Sequence, residues 1–232
     1  MSKNTIFEDT APIHRKNVFD VLDIVKLKLP ENLKNNLIRD IGSAGYKSQS
    51  NDIDLFLDER IVTDHYKSPD SKTAKQELKN YFSDLGIKST VKARNVHVDI
   101  PYETNDGVKH AQVDIMVIPN ARRVADWHQH GLRGMYIDPN FRADHLYILL
   151  NSIGKYLGYK VDAFGGVVMR RDSNEVVADN REDAAKLLLN QGATANDLNS
   201  VKTVMKALEH DTHREDKLRQ AYGDVEKGLL VL

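Results

Sequence analysis

The segment at residues 52–58 restricts the fold most, because polar and apolar side chains alternate along it. The apolar side chains on one face are Ile53, Leu55 and Leu57. The opposite face carries Asp52, Asp54 and Phe56. Alternation with a period of two is the pattern of a β-strand, in which successive side chains point to opposite faces of a sheet. The segment therefore predicts a strand with two carboxylates on one face.

The segments around this strand predict a mixed sheet with helices. In chain order, the predicted elements are a helix at 12–28, a strand at 37–41 that enters a tight turn, a helix at 68–86, an alternating β segment at 87–100, and a return strand at 108–118 after a hairpin turn at 104–107. Gly and Asn-Asp-Gly signals mark these turns, and the spacing of apolar residues separates helix from strand. The first 120 residues therefore predict an α/β unit.

The second half of the chain has a different pattern. The polar residues 122–140 predict a loop. The elements predicted after it are a helix at 141–159, a short hairpin with strands at 165–171 and 175–177, and helices at 181–191, 196–210 and 213–230. The predicted fold is thus an α/β (α+β) domain with a mixed sheet and flanking helices over residues 1–120. A mostly helical C-terminal domain with a small β-hairpin is predicted over residues 121–232.

Composition excludes several classes of protein. The 232 residues include no cysteine, which excludes disulfides, thiolate zinc sites and a cysteine nucleophile. The 33 basic and 34 acidic residues balance, so net charge does not indicate a basic nucleic-acid arm. No apolar run approaches the roughly 18 residues of a membrane helix, and the start lacks the pattern of a signal peptide. We expect a cytoplasmic protein with no membrane partner.

A turn of small residues and the two carboxylates together indicate a phosphate and metal site. Gly42 allows the backbone of the turn to approach a polyphosphate closely, and the Ser43 hydroxyl can donate a hydrogen bond to it. Asp52 and Asp54 leave the same face of one strand, with backbones roughly 6–7 Å apart. Hard oxygen ligands of this kind suit Mg²⁺ or Mn²⁺ bridging to substrate phosphates.

A two-metal phosphoryl or nucleotidyl transfer site normally includes a third carboxylate near the attacking hydroxyl. Asp114 is the single charge in the otherwise apolar segment 113–118. Burying such a carboxylate is costly unless a metal or a hydrogen-bond donor offsets the cost. Asp99, between Val98 and Ile100, has similar neighbours and is the alternative third ligand. The more apolar surroundings of Asp114 predict that its strand is the central one and favour it over Asp99.

Residues 12–120 resemble the DNA polymerase β-type nucleotidyltransferase superfamily. The superfamily motif begins with a hydrophobic residue, which is followed by Gly and then by either Gly or Ser. A variable loop comes next, and after it come Asp, a hydrophobic residue, and either Asp or Glu. The matching positions are Ile41, Gly42, Ser43, Asp52, Ile53 and Asp54. Asp114, in a Val-Asp-Ile sequence, corresponds to the third carboxylate. The hairpin at 98–118 also resembles, more weakly, that of archaeal-type CCA-adding enzymes and poly(A) polymerases.

The resemblance implies a reaction and a role for each residue. An acceptor hydroxyl attacks the α-phosphorus of an NTP, and pyrophosphate is released. Asp52 and Asp54 are expected to hold two Mg²⁺ (or Mn²⁺) ions. Asp114 is expected to bind one ion and to orient or deprotonate the hydroxyl. Gly42 and Ser43 are expected to hold the β- and γ-phosphates.

The sequence leaves the acceptor open. An RNA 3′ end is slightly favoured, because of the hairpin likeness. A hydroxyl of a protein or of a small molecule is the alternative, because the net charge of the chain is only −1. The alternative to an enzyme is a binding module that holds nucleotide without turnover.

The nine histidines do not form a clear metal motif. The notable groups are Trp127 to His130 and His210 with His213. Without cysteine or a nearby carboxylate pattern, we interpret these histidines as surface or substrate-lining residues. Trp127 and His128, with Arg122 and Arg123, form either a base-stacking wall or a solvated loop, and the solvated loop is favoured.

Overall fold

The computed structural model describes residues 6–128 and 143–232 of the chain. Contacts between residues divide the chain into two compact units, Met1–Arg122 and Arg123–Leu232. Each unit has its own hydrophobic core of buried side chains.

The N-terminal unit contains most of the strands. Its elements are β1 (Ile13–His14), α1 (Val18–Lys28), α2 (Glu31–Lys34), β2 (Ile38–Ile41), β3 (Gln49–Ser50), β4 (Asp52–Asp58), α3 (Glu59–Tyr66), α4 (Ser71–Asp84), β5 (Ser89–Lys92), β6 (Asn95–Thr104) and β7 (Gly107–Ile118). β1 and β3 pair as a separate two-stranded ribbon. The remaining strands form one five-stranded sheet.

The five-stranded sheet is mixed, with the order β2-β4-β7-β6-β5. β4 and β7 are parallel, and the other neighbouring pairs are antiparallel. β6 and β7 form a long hairpin in which Thr104 is opposite Gly107. β7 is therefore the central strand, as the apolar sequence around Asp114 predicted.

The sheet has one apolar face, and its other face carries polar side chains together with the buried Phe56 of β4. Helices α1, α3 and α4 pack on the apolar face, where alternate side chains of β4, β6 and β7 are buried. The opposite face of β4 and β7 carries Asp52, Asp54 and Asp114. We call this polar side of the sheet the carboxylate face. The alternation in the sequence thus corresponds to a sheet covered by helices on one side.

The C-terminal unit is mostly helical, and its described elements follow α5 (residues 121–128), which includes the division point between the units. They are α6 (Ala143–Leu157), β8 (Tyr159–Asp162), β9 (Val167–Arg170), β10 (Val176–Ala178), α7 (Arg181–Leu188), α8 (Val201–Ala207) and α9 (Arg214–Glu226). The three strands form an antiparallel sheet in the order β10-β9-β8, one strand more than the predicted hairpin.

The predicted fold class is confirmed: the chain forms a mixed sheet with flanking helices and a mostly helical C-terminal part. The structure differs from the local predictions in several places. Residues 87–100 do not form one strand, because a tight turn with Ala93 at φ 54° divides them into β5 and β6. Helix α3 follows β4 directly and was not predicted. Within the described ranges, every helix is too short or too polar to cross a lipid bilayer.

The predicted loop at 122–140 is also wrong in its first part, because residues 121–128 are helical. Ala121, Val124 and Ala125 are buried at helical spacing, a short apolar pattern among polar residues. The N–H of Ala121 donates a hydrogen bond to Oδ2 of Asp58 over 3.0 Å, which satisfies one of the free N–H groups at a helix start. Residues 129–142 lie outside the described residues.

Candidate active site

The parallel pairing of β4 with β7 brings the predicted carboxylates together. Asp54 lies directly opposite Asp114, and Asp52 lies opposite Gln112. Neighbouring strands are about 4.8 Å apart, and residues two apart on a strand point to the same face. The three carboxylates therefore occupy neighbouring positions on the carboxylate face.

Burial and mutual repulsion change the acidity of this cluster. Burial, followed by the charges of Asp52 and Asp114, raises the pKa of Asp54 from 3.8 to about 7. Burial and the charge of Asp114 also raise the pKa of Asp52, while the nearby His97 acts in the opposite direction. A concentration of negative charge in a partly buried place favours either protonation or a bound cation.

The turn that follows β2 lies against this cluster. Gly42 has φ +80°, and a Cβ placed on it would lie 2.1 Å from Oδ2 of Asp54. The pairing of β2 with β4 sets this approach, because Ile41 is opposite Asp54. The structure thus brings Gly42 next to the Asp54 carboxylate.

Ser43 is held in the same turn. Its Oγ lies 3.1 Å from Oγ of Ser50, which is buried at the end of β3. Its carbonyl oxygen accepts hydrogen bonds from the N–H groups of Tyr46 and Lys47, over 3.2 and 3.1 Å. Ser50 was not singled out from the sequence, although it lies two residues before Asp52, the first residue of β4.

Asp114 has two hydrogen-bond donors that sequence reasoning missed. Nδ1 of His97 lies 2.7 Å from Oδ1 of Asp114, and Nε2 of Gln112 donates to the same oxygen over 2.9 Å. His97 is opposite Asp114 in the β6–β7 hairpin. The hairpin turn could have predicted this pair. Thr104 is opposite Gly107, and His97 lies seven residues before Thr104 while Asp114 lies seven residues after Gly107, so the two are opposite each other.

The alternative third carboxylate, Asp99, also lies on this face but in another place. It is opposite Gln112, which separates it by one strand from Asp52. Two strand spacings amount to about 10 Å. Its side chain is 1% exposed and accepts a hydrogen bond from Nδ1 of His110 over 2.8 Å. The structure thus places Asp114, and not Asp99, beside Asp54.

The oxygen donors of this face are of the kind that binds Mg²⁺ or Mn²⁺. In the part of the chain that the structure describes, no group of three or more histidine, aspartate or glutamate side chains is arranged so that it could hold a metal ion. One oxygen of Asp114 is directed to His97 and Gln112. The donor chemistry and the clustered negative charge fit a divalent ion whose other ligands are substrate oxygens and water.

Trp127 and His128 have different surroundings from those expected. Trp127 is 3% exposed and belongs to the core of the C-terminal unit, so the solvated-loop interpretation is wrong for it. The ring of His128 packs near those of Tyr147 and Phe164, and burial lowers its pKa. The other histidine of this motif, at position 130, lies outside the described residues.

The histidines near the end of the chain lie on the surface, as expected. Both His210 and His213 are exposed. The N–H of His213 donates to Oδ1 of Asp211 over 2.7 Å, which is an ordinary contact of a turn before a helix.

Among known proteins, the likeness of this chain is to solved structures rather than to sequences. No protein-family model matches the sequence. No curated protein matches it either. The chain is similar to a solved structure described as the structural basis for the activity of a cytoplasmic RNA terminal U-transferase, at 15% identity and a TM-score of 0.32. The similarity covers 68% of this chain and 47% of that chain, so this chain spans about half the length of that protein.

Proposed function

We propose that this protein is a metal-dependent nucleotidyltransferase that moves an NMP from an NTP to an acceptor hydroxyl and releases pyrophosphate. One observation carries the proposal. Asp54 and Asp114 are opposite each other in parallel strands, with Asp52 on the same face and the turn of Gly42 against Asp54. Three carboxylates beside a small-residue turn provide what transfer of a phosphoryl group to a hydroxyl requires.

The carboxylates are proposed to hold the metal. Asp52 and Asp54 would bind Mg²⁺ or Mn²⁺, and Asp114 would complete the shell of one ion. When bound, the metal supplies positive charge at the phosphates and at the attacking oxygen. The raised pKa of Asp54 supports this assignment, because a cation would relieve the repulsion that raises it.

Different residues of the protein are proposed to bind the NTP and to orient the acceptor hydroxyl. The backbone at Gly42 and the Ser43 hydroxyl would bind the β- and γ-phosphates of the NTP. Asp114 would accept a hydrogen bond from the acceptor hydroxyl and take its proton as the new O–P bond forms. The bond between the α-phosphorus and the oxygen that bridges it to the β-phosphorus would break, and its electron pair would leave with pyrophosphate.

An RNA 3′ end remains our proposed acceptor, on the hairpin likeness, while a protein or small-molecule hydroxyl is the alternative outcome. The experiment incubates the purified protein with each α-labelled NTP, Mg²⁺ and total RNA. Label in RNA supports the RNA acceptor, and label in protein or a small molecule supports the alternative. Asp52→Asn is the matched inactive control, because it keeps the size of the side chain. Label that moves nowhere, together with NTP binding, would favour a non-catalytic nucleotide-binding module.

A further inference from the structure

Oδ1 of Asp114 is held by two buried side chains that have no role in the reaction described so far. His97 is 5% exposed and Gln112 is 2% exposed. Nδ1 of His97 lies 2.7 Å from Oδ1, and Nε2 of Gln112 lies 2.9 Å from it. Two hydrogen bonds from buried donors to one carboxylate oxygen restrict the rotation of the carboxylate.

The neighbours of these donors fix the direction of each hydrogen bond. The backbone N–H of Ile6 donates to Oε1 of Gln112 over 2.6 Å. Because a backbone N–H can only donate, the amide nitrogen of Gln112 must face Asp114. A carboxylate only accepts, so Nδ1 of His97 carries a hydrogen in this pair. Nε2 of His97 is buried and has no hydrogen-bond partner among the described residues.

The positions of the donors leave one side of Asp114 for chemistry. In the sheet, Asp114 on β7 lies between His97 on β6 and Asp54 on β4. The hydrogen bond from His97 therefore reaches Asp114 from the side away from Asp54. Within the described residues, both side-chain hydrogen bonds to Asp114 end on Oδ1. Oδ2 is left for an ion or for the acceptor hydroxyl.

We propose that His97 and Gln112 are positioning residues that hold Asp114 in the orientation needed for transfer. This inference rests on the proposed nucleotidyltransferase function. Partners that orient a ligand or a catalytic group through hydrogen bonds typically contribute about 10- to 100-fold to activity. Since they act through Asp114, their loss lowers the rate of transfer and has little effect on NTP binding.

The first test measures the hydrogen bond itself and does not depend on activity. Nitrogen-15 NMR of the His97 ring in the full chain reports which nitrogen carries the hydrogen. The expected result is hydrogen on Nδ1, with a resonance that shifts in Asp114→Asn. Hydrogen on Nε2 alone, or a resonance that Asp114→Asn leaves in place, would overturn the proposal.

The second test separates positioning from stability by kinetics. His97→Phe is expected to lower kcat about 10- to 100-fold and to change the KM for NTP less than about twofold. His97→Asn is expected to retain more activity than His97→Phe, because the nitrogen of its amide can take the place of Nδ1. His110→Phe is the control, since it removes the other histidine that is paired with a buried aspartate of this face. Equal losses in His97→Phe and His110→Phe would contradict a specific role.

Gln112→Met provides a second variant if His97→Phe does not fold. Methionine has nearly the same length as glutamine and cannot donate to Oδ1. The expected result is again a lower kcat with an unchanged KM, and an unchanged kcat would count against the proposal. Asp52→Asn distinguishes failure of the proposed function from failure of the positioning role alone. If Asp52→Asn keeps full activity, the proposed function is wrong, whereas an inactive Asp52→Asn beside a fully active Gln112→Met refutes the positioning role alone.

Discussion

Gly42 packs so closely against Asp54 that a methyl group on Gly42 would lie 2.1 Å from the Oδ2 atom of Asp54. The backbone of Gly42 is also in the left-handed region, with φ +80°. Glycine is therefore favoured at this position by its backbone conformation and by the space beside it. This contact connects the turn, which is proposed to bind phosphate, with a carboxylate that is proposed to bind metal.

Gly42→Ala is expected to abolish transfer, because the new methyl group must displace the Asp54 carboxylate. The left-handed backbone is expected to lower the free energy of unfolding by about 1–2 kcal/mol. Gly45→Ala is a matched control, since Gly45 has φ +85° and open space where a Cβ would lie. It should show a similar loss of stability and retain activity. Turnover assays and urea denaturation of both variants would check this, and equal losses of activity would attribute the effect to backbone strain.

Asp52→Asn and Asp54→Asn are each expected to abolish NTP turnover and to leave the fold intact. Each change removes an anionic ligand and keeps the size of the side chain. In the metal-free protein, the free energy of unfolding should rise, because repulsion among the carboxylates is relieved. Turnover assays and chemical denaturation measure the two effects. An unfolded variant, or one with full activity, would count against a metal site here.

The raised pKa of Asp54 predicts a pH dependence of stability in the absence of divalent ions. The pKa is raised from 3.8 to about 7 in the folded state, so the folded protein holds this proton more tightly than the unfolded chain. The free energy of unfolding should therefore fall as the pH rises from about 4 to about 7, by at most about 1.4 kcal/mol per pH unit, and then level off. Denaturation at several pH values should show this contribution in the wild type and not in Asp54→Asn. Parallel pH profiles of the two proteins would contradict it.

The sequence predicted the site strand well because its pattern is local. The alternation in β4 determines which residues share a face, and the hairpin turn at 104–107 determines where β7 begins. By contrast, α3 follows β4 without a loop, and the apolar positions of residues 121–128 are few among polar neighbours. Local patterns are weak in such segments, and tertiary packing decides their structure.

Contacts between strands were harder to predict than the strands themselves. The pair of Asp54 and Asp114 depends on the parallel register of β4 and β7, which are joined through other elements. A hairpin fixes its own register through its turn, whereas a parallel pair has no such local constraint. The contact between Gly42 and Asp54 likewise depends on how β2 pairs with β4, including an irregularity in that pairing.

Ser43→Ala is expected to raise the KM for NTP and to lower kcat only modestly. One hydrogen bond to a charged phosphate contributes about 1.5–3 kcal/mol, which corresponds to roughly a tenfold or larger change in KM. Because Ser43 also pairs with Ser50 over 3.1 Å, Ser50→Ala is the control for loss of that contact alone. Steady-state kinetics with varied NTP should show the larger change in KM for Ser43→Ala. The same KM in both variants would indicate that the two hydroxyls act only on each other.

Asp114 and Asp99 provide the sharpest comparison, because each is a buried aspartate paired with a histidine on the same face of the sheet. Only Asp114 is opposite Asp54, while Asp99 is separated from β4 by the whole of β7. The histidine of the Asp99 pair, His110, is partly exposed, so loss of Asp99 leaves its partner in contact with water.

Asp114→Ala is therefore expected to abolish transfer while weakened binding of NTP and Mg²⁺ persists, since the proposed task of Asp114 is to orient the acceptor hydroxyl and to complete the shell of one ion. Asp99→Ala is expected to retain most of the activity. Calorimetry of NTP binding and turnover assays on both variants separate binding from transfer. If Asp99 proves essential and Asp114 dispensable, the site does not lie where β4 and β7 meet, and the third carboxylate must be sought on β6.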